Sequence, residues 1–281
     1  MLRSSVIKQI CEMRVLIFSG SHPRHTYVHQ AVLESGLECA AVVMEREALV
    51  PHPPANITEH DLKNFIRHFK ERDIVERRFF GTAVPQDVFC NVPTHYCESK
   101  TLNSDDTINF IKKFDPDLVF IFGVDLIKGQ LLDVLPKDKM NLHLGLSPWY
   151  RGSATLFWPF YFMQPNYSGV TFHQIVPEAD AGDIVHQSVP ELINGDGIHD
   201  VSARAVVQAK DDLSKLLVIY LKECQWETNR QRSSGRLFLT KDFEAHHLRV
   251  IYDVVENNLV DRYLSGEIPS KPPKIIQHLG V

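Results

Sequence analysis

The sequence predicts an α/β fold, because apolar runs typical of buried parallel strands alternate with segments of helical periodicity. The clearest runs are Arg14 to Phe18, Glu38 to Met44 and Leu118 to Phe122. Short, nearly continuous apolar runs favour strands that are covered on both faces, as in a parallel sheet with flanking helices. Alternation of strands with helices indicates βαβ units. With 281 residues, 44% of them hydrophobic, the chain can bury a sizeable core.

The loop after the first strand is a candidate ligand site. The run ends at Gly20 and a helix follows, so this loop lies at the carboxyl edge of the predicted sheet, where ligands bind in parallel sheets. A helix N-terminus can also receive a phosphate. The candidate substrate-binding residues here are Ser21, Arg24 and His25. A plain polar turn explains them equally well, because the dinucleotide fingerprint G-x-G-x-x-G is absent.

The next elements are predicted from periodicity and capping residues. Asp61 to Arg78 is expected to form an amphipathic helix whose basic residues, Arg72 among them, lie on a solvated face. A short strand is expected within Val88 to Tyr96, and a helix over Thr107 to Phe114. The apolar face of the first of these helices is assigned to Leu62, Phe65, Ile66, Phe69 and Ile74.

The strongest functional signal lies in the segment Lys139 to Gly152, KMNLHLGLSPWYRG. Asn141 and His143 alternate with apolar residues, so on a strand they point to the same face. A polar pair at the end of a buried strand is a typical place for chemistry. Taken alone, an N-x-H tripeptide is more often a pair of hydrogen-bonded core residues. Asp180, in the later segment PEADAGDIV, is by itself an ordinary turn residue.

Five short motifs follow one another along this part of the chain. They are Asn141-Leu142-His143, Leu146-Ser147-Pro148, Tyr150-Arg151-Gly152, Gly169-Val170-Thr171 and Asp180-Ala181-Gly182. In order and spacing this series resembles the folate-dependent formyltransferases, the family of glycinamide ribonucleotide formyltransferase, methionyl-tRNA formyltransferase and the sugar N-formyltransferases. The resemblance implies a Rossmann-like formyltransferase fold and an enzyme of one-carbon metabolism that uses 10-formyltetrahydrofolate as co-substrate. Gly145 stands where the family usually has Ser, which bears on loop packing and substrate contacts more than on the chemistry.

The residue types of the implied catalytic triad suit this reaction. When an amine attacks the formyl carbon, the carbonyl oxygen becomes negative, and the side-chain amide of Asn141 can donate to it, a contribution of roughly 3 kcal/mol. His143 titrates near neutral pH and can move a proton between the two nitrogens. Asp180 is expected to orient the imidazole and to raise its pKa. The predicted catalytic residues are therefore Asn141, His143 and Asp180.

The resemblance also implies where the two substrates bind. It extends back to Val119 to Pro136, which looks like the strand and loop that hold the pterin ring in the family. The residues expected to bind folate are Phe122, Gly123, Val124, Leu126, Ile127, Val176, Glu178, Ala179 and Asp180. The residues expected to bind the amine substrate are Tyr150, Arg151 and Gly152, together with Ser21, Arg24 and His25. No metal is predicted, because His25 and His29 stand four residues apart without a third ligand.

No recognisable motif encodes the acceptor amine. A nucleotide-linked amino sugar is the first choice, because the short C-terminal extension resembles that of the sugar N-formyltransferases. The formal charge of −5 also argues against nucleic acid as a partner. The alternative activities are formylation of hydroxyornithine, glycinamide ribonucleotide or methionyl-tRNA. Hydrolysis of formyltetrahydrofolate and a non-catalytic folate-binding role stay open as well.

Two unequal parts are expected along the chain. The catalytic domain is assigned to residues 1–222 and a small C-terminal extension to residues 223–281. The catalytic domain is expected to close with a long helix over Ile198 to Tyr220. In the extension, Gly235 to Phe243 predicts a strand or hairpin, and His246 to Leu264 predicts a helix.

Cysteine usage and hydropathy indicate the setting of the protein. The five cysteines are an odd number and form no C-x-x-C pair, so neither a disulfide framework nor a zinc ribbon is indicated. Reduced thiols favour a cytoplasmic location. Apolar runs end well before membrane-spanning length, so no membrane partner is expected. Residues 1–12 are expected to form an extra turn or short helix, and a homodimer is the candidate assembly.

Overall fold

A seven-stranded sheet forms the centre of the molecule. The computed structural model describes residues 13–46, 50–231, 235–278 and 281, so the turn expected at residues 1–12 lies outside it. The strand order of the sheet is β3-β2-β1-β4-β5-β7-β8, and β6 and β9 form a separate pair. The strands are β1 Arg14–Gly20, β2 Glu38–Glu45, β3 Thr94–Glu98, β4 Leu118–Phe122, β5 Lys139–His143, β6 Tyr150–Gly152, β7 Val170–Gln174, β8 Ile184–Ser188 and β9 Arg236–Phe238. The predicted α/β class is confirmed.

Helices cover both faces of this sheet. They are α1 Pro23–Leu33, α2 Glu59–Phe80, α3 Pro85–Val88, α4 Asp105–Phe114, α5 Gln130–Val134, α6 Trp158–Tyr161, α7 Ile198–Glu223 and α8 Leu259–Leu264. The side chains of β1 show why its run is apolar at every position. Val15 and Ile17 pack in the same cluster as residues of α1 and α7, whereas Leu16 and Phe18 pack with residues of α4 and α5 on the other face.

The sheet is mostly, but not wholly, parallel. Strands β1, β4 and β5 run in the same direction, whereas β7 pairs with β5, and β8 with β7, in antiparallel fashion. The register of the β5–β7 pair places Asn141 opposite His173 and His143 opposite Thr171. This reversal therefore brings a second polar strand beside the Asn-x-His motif.

Helix α2 turns a different face to the interior from the one its apolar pattern predicts. Phe65 and Phe69 are buried as expected, but Ile66 and Ile74 are each 57% exposed. In their place the polar residue His68 is buried, and its Nδ1 lies 3.0 Å from the hydroxyl oxygen of Tyr252. Polar partners from the C-terminal part of the chain thus decide the rotation of this helix.

The C-terminal residues share a core with the rest of the chain. Strand β9 pairs parallel with β6, which confirms a strand within Gly235 to Phe243. The single helix predicted over His246 to Leu264 is wrong. A 3-10 turn at Ala245–His247 and a π-helix at Val250–Val254 precede α8 there. The reason is local, because Asn257 has a left-handed φ of 56° and uses its side-chain oxygen to accept from the backbone N–H of Ile198 at the start of α7.

Candidate active site

A cleft of about 810 Å³ opens at the carboxyl edge of the sheet, where β4 and β5 end. Apolar side chains form much of its wall, and two polar groups stand within it. The imidazole cluster consists of Asn141, His143, His173 and Asp180. The guanidinium cluster consists of Arg24, Arg72 and Glu76, with His22 bonded to Glu76.

Strands β5 and β7 position the first half of the imidazole cluster. Asn141 lies opposite His173, and its Nδ2 is 3.1 Å from Nε2 of that ring. Nδ1 of His173 lies 2.8 Å from the carbonyl oxygen of Gln174, so this nitrogen carries the proton and donates it. The amide of Asn141 therefore contacts His173 at Nε2, the ring nitrogen that does not donate to Gln174.

His143 lies between two hydrogen-bond acceptors and is only 6% exposed. Its Nε2 is 2.8 Å from the carbonyl oxygen of Tyr150, and its Nδ1 is 3.4 Å from Oδ2 of Asp180. The bond to the carbonyl oxygen places a proton on Nε2. A second proton, added to Nδ1, would face a carboxylate, so the imidazolium form of His143 is held at both nitrogens.

Asp180 reaches the two histidines from the loop between β7 and β8. Its backbone is left-handed, with a φ of 50°. Oδ2 accepts from the backbone N–H of Gly152 over 2.8 Å, and Oδ1 lies 3.4 Å from Nε2 of His173. The structure therefore brings together Asn141, His143 and Asp180, the three residues that the sequence predicts to be catalytic.

Burial decides the charge of this cluster. It lowers the pKa of His143, and the nearby Asp180 carboxylate and the Tyr150 carbonyl oppose the shift without reversing it. Asp180 therefore raises the pKa of His143, as expected from the sequence, but burial outweighs this contribution and the net pKa is lowered. Burial also disfavours the charge of Asp180, but His143 and His173 outweigh it and hold the pKa of this carboxyl well below its usual range. At neutral pH the site holds a carboxylate beside a neutral imidazole.

Gly145 is packed against the ring of His143. A Cβ atom at this position would lie 2.6 Å from Nε2 of His143, 2.6 Å from the carbonyl oxygen of Tyr150 and 2.7 Å from Cβ of Thr155. Any side chain would therefore displace the contact that orients the imidazole. The departure from Ser at this position, noted in the sequence, affects the positioning of His143 as well as the packing of the loop.

All of the residues expected to bind folate line the cleft. They belong to two segments, the loop after β4 and the loop that leads to Asp180. Gly123 has a φ of 83°, and a Cβ there would lie 2.4 Å from Nδ1 of His25, so a glycine is required for the chain to leave β4 in this direction. The role of these residues toward folate stays a prediction.

The residues expected to bind the amine substrate are divided. Arg24 and Gly152 line the cleft, and within the described part of the chain the remaining four, Ser21, His25, Tyr150 and Arg151, lie outside its lining. The side chain of Tyr150 is buried and donates to the side-chain oxygen of Gln164, while its backbone carbonyl holds His143. The substrate contacts of these six residues stay predictions.

The guanidinium cluster is built around one carboxylate. Glu76 accepts from Nη1 of Arg24 over 2.5 Å and lies 3.0 Å from Nε2 of His22 and 3.8 Å from Nε of Arg72. The side chains of Glu76 and Arg72 are only 12% and 19% exposed. The placement of Arg72 on a solvated face is therefore wrong, because its guanidinium packs over the ring of Phe69 at the cleft. The cluster thus places two guanidinium groups beside one carboxylate at the wall of the cleft.

Sequence reasoning missed several polar residues of the cleft. His173 stands two residues after Thr171 and so shares its face of the strand, but only the antiparallel pairing with β5 brings it to Asn141. Glu76 meets Arg24 across 52 positions of the chain, and no local pattern announces such a pair. Missed residues that also line the cleft include His68 and His199, whose ring centroids lie 4.4 Å apart.

Neither a metal-binding cluster nor a membrane-spanning helix is present within residues 13–46, 50–231, 235–278 and 281. There, no three side chains of the His, Cys, Asp or Glu type are grouped so that they could hold a metal ion. None of the helices in those ranges combines the length and apolar character that crossing a membrane requires.

Comparison with known proteins gives one family and several similar structures. A family model described as formyl transferase matches residues 13–217. An N-formyltransferase from Helicobacter canadensis, solved with folinic acid and dTDP-3-aminofucose, is 15% identical, with a TM-score of 0.55 over 95% of this chain and 87% of that one. A 4-N formyltransferase from Francisella tularensis is 16% identical, with a TM-score of 0.55 over 83% and 78% of the two chains. Phosphoribosylglycinamide formyltransferase from Anaplasma phagocytophilum is also 16% identical, with a TM-score of 0.53 over 75% of this chain and 88% of its own.

Proposed function

Because the chain belongs to the formyl transferase family, we propose that it moves a formyl group from 10-formyltetrahydrofolate to the amine of a nucleotide-linked amino sugar. The observation that carries the reaction is the imidazole cluster. An amide donor, a neutral imidazole and a carboxylate converge there within hydrogen-bond or ion-pair distance of one another. These are the groups that formyl transfer between two nitrogens requires.

The reaction needs one oxyanion donor and one proton carrier. As the amine nitrogen forms a bond to the formyl carbon, the carbonyl oxygen takes up the electron pair of the C=O bond. The side-chain amide of Asn141 contacts His173, and an N–H of the same amide can donate to this oxygen. Collapse of the intermediate restores the C=O bond and breaks the bond to the folate nitrogen.

His143 carries the proton between the two nitrogens. Because burial keeps its imidazole neutral at pH 7, it can accept a proton from the attacking nitrogen. The imidazolium that forms is stabilised by Asp180 at Nδ1 and by the Tyr150 carbonyl at Nε2. His143 then gives the proton to the departing folate nitrogen, so protons balance within the site. A neutral resting imidazole is thus suited to the first proton transfer, in which it acts as the base.

The residues expected to bind folate fit a flat, partly polar donor. Phe122, Val124 and Ile127 offer apolar surface to the cleft, and the backbone of Gly123 carries no side chain between them. Glu178, on the opposite loop, adds a polar group beside Asp180. We assign the folate to these two segments because they border the imidazole cluster.

The guanidinium cluster supports an acceptor that carries a negative group. Arg24 and Arg72 both line the cleft, so an anion bound there would meet two guanidinium groups. The diphosphate of a nucleotide-linked sugar is such a group. The similar protein from Helicobacter canadensis was solved with an amino sugar of this kind, and its fold matches nearly the whole of this chain.

The test is a transfer assay with mass detection of the products. The protein is incubated with 10-formyltetrahydrofolate and, in turn, with nucleotide-linked amino sugars, hydroxyornithine and glycinamide ribonucleotide. We expect one nucleotide-linked sugar to gain a formyl group as tetrahydrofolate appears. His143→Ala is expected to lower kcat by about 10²- to 10⁴-fold. His246→Ala, at a side chain that is 52% exposed, is the matched control and should change kcat little.

Three results would contradict the proposal in different ways. Formate release without an amine acceptor would indicate a hydrolase. Formylation of hydroxyornithine or glycinamide ribonucleotide alone would keep the chemistry and replace the acceptor. No turnover together with a rise in melting temperature on folate addition would indicate a folate-binding protein.

A further inference from the structure

The C-terminal residues that follow α7 reach the loop that carries Asp180. Gln231 lies outside residues 13–217, the part matched by the family model. Its side-chain Nε2 donates to the backbone carbonyl oxygen of Asp180 over 3.0 Å and to that of Gly182 over 2.9 Å. A single amide group therefore spans the turn at the catalytic carboxylate.

The position of Gln231 is itself fixed by the sheet. Two residues before it, Asn229 exchanges two backbone hydrogen bonds with Ile184 at the start of β8, each of 2.8 Å. This pairing attaches the segment to the sheet close to the point where the Asp180 loop returns to it. Gln231 therefore follows directly after backbone that is hydrogen-bonded to the sheet, and this attachment fixes where its side-chain amide lies.

The loop that Gln231 contacts has an unusual backbone. Asp180 has a φ of 50°, a conformation that residues other than glycine rarely adopt. The far side of the loop is held by β7, since the backbone N–H of Gln174 donates to the carbonyl oxygen of Asp183 over 2.9 Å. A Cβ at Gly182 would lie 1.8 Å from the carbonyl oxygen of Gln174, so the loop is packed tightly on that side. Gln231 supplies the hydrogen bonds on the other side.

We propose that Gln231 is a positioning residue, which holds the Asp180 loop so that the carboxylate faces His143, His173 and the Gly152 N–H. The consequence for turnover rests on the proposed formyl transfer, whereas the consequence for the geometry of the imidazole cluster does not. Loss of the two hydrogen bonds would free the strained turn and move the carboxylate away from the two rings. Misplacement by about 1 Å in such a site can cost on the order of 100-fold in rate.

The experiment replaces Gln231 with methionine, which keeps the length of the side chain and removes its donors. Its first readout is the pH titration of the histidine rings by NMR, which needs no substrate. Burial lowers the pKa of His143 most, and His173 and Arg151 lower it further, whereas Asp180 and the Tyr150 carbonyl raise it. If the carboxylate moves away, His143 should lose its charged form at a lower pH than in the parent protein. The Asp180→Asn variant identifies the titration curve of His143, because removal of the carboxylate should lower the pKa of this ring.

The second readout is kcat, expected to fall about ten- to 100-fold in Gln231→Met. Gln86→Met is the matched control, because Gln86 makes an exposed hydrogen bond to Glu45 at the end of β2, a strand that does not pair with β7 or β8. Should Gln231→Met fail to fold, Gln231→Asn takes its place, since its amide is one methylene too short to reach both carbonyls.

The outcomes separate the positioning role from the proposed function. A shifted histidine titration with reduced kcat supports both. A shifted titration in Gln231→Met, when the parent protein itself shows no formyl transfer, supports the positioning role and contradicts the proposed function. A titration and a kcat that match those of Gln86→Met would overturn the positioning role.

Discussion

Each of the two polar clusters in the cleft contains a buried carboxylate beside basic side chains, but the basic groups differ. Asp180 faces two imidazoles, whereas Glu76 faces two guanidinium groups and one imidazole. A guanidinium keeps its charge at every physiological pH, while an imidazole gains and loses a proton near neutrality. The imidazole cluster is therefore able to move protons, and the guanidinium cluster is suited to holding charge in place.

Burial disfavours the charged form of the titratable groups in both clusters, and the neighbouring side chains decide which groups stay charged. It lowers the pKa of His143, so the charge around Asp180 can change during a reaction. Around Glu76, burial alone would raise the carboxyl pKa, but Arg24 and His22 outweigh it and lower the pKa to about 2. A buried carboxylate therefore lies beside a base that can change its charge in the imidazole cluster, and beside bases of constant charge in the guanidinium cluster.

Neutralising each carboxylate in turn and measuring turnover tests whether the two clusters differ in function. Asp180→Asn should lower kcat by about 1,000-fold, on the order of 4 kcal/mol of barrier, because the imidazolium of His143 loses its partner. Glu76→Gln should leave kcat within a few-fold of the parent value and raise KM for the amine substrate, because Arg24 and Arg72 lose the carboxylate that holds them in place. Steady-state kinetics at saturating folate measures both. Equal losses of kcat in the two variants would mean that both clusters take part in chemistry.

A second prediction concerns stability and pH. The pKa of Glu76 falls from 4.5 to about 2 on folding, so its ionisation stabilises the native state above about pH 4.5 and this contribution is lost as the pH falls toward 2. Glu76→Gln should therefore lower the free energy of unfolding by about 3 kcal/mol at pH 7. The difference from the parent should shrink progressively below pH 4.5.

Urea unfolding of the parent and Glu76→Gln at pH 7 and at pH 3 provides the measurement. Glu98→Gln is a suitable control, because the side chain of Glu98 is 63% exposed and pairs only with Lys100 among the contacts of the described residues. A stability loss in Glu76→Gln that is the same at both pH values would show that packing, not charge, accounts for it.

The two clusters also differ in how far the sequence predicts them. Asn141 and His143 stand two apart on a strand and Asp180 follows in a recognisable series of motifs, so three members of the imidazole cluster were expected together. The fourth, His173, required the antiparallel register of β7 against β5, which the strand pattern does not contain. The proximity of Asn141, His143 and Asp180 was thus predictable from spacing and motif, whereas the addition of His173 to the cluster was not.

The guanidinium cluster was not predictable, because it depends on how α2 is rotated. The apolar spacing of that helix predicts burial of Ile66 and Ile74, yet both are exposed, and His68 and Arg72 turn to the cleft instead. Contacts between α2 and the C-terminal residues, such as His68 with Tyr252, determine this rotation. Tertiary partners of this kind lie far apart in sequence, whereas strands β1 and β4 follow from local composition alone.

The smallest expected effect tests whether the guanidinium cluster binds the substrate at all. Arg72→Gln removes one of the two positive charges that face Glu76, so an anionic acceptor would lose attraction in a partly buried site. We expect KM for the nucleotide-linked amine to rise about tenfold, which corresponds to ~1.4 kcal/mol, with kcat within about twofold.

Arg77→Gln on the same helix is the control, since its side chain is 61% exposed and pairs with Asp73. A neutral amine offered in place of the nucleotide-linked one should be insensitive to Arg72→Gln. If KM for the anionic acceptor were unchanged, or if Arg77→Gln raised it equally, the guanidinium cluster would be a structural ion pair and the positive charge of the cleft would not select the substrate.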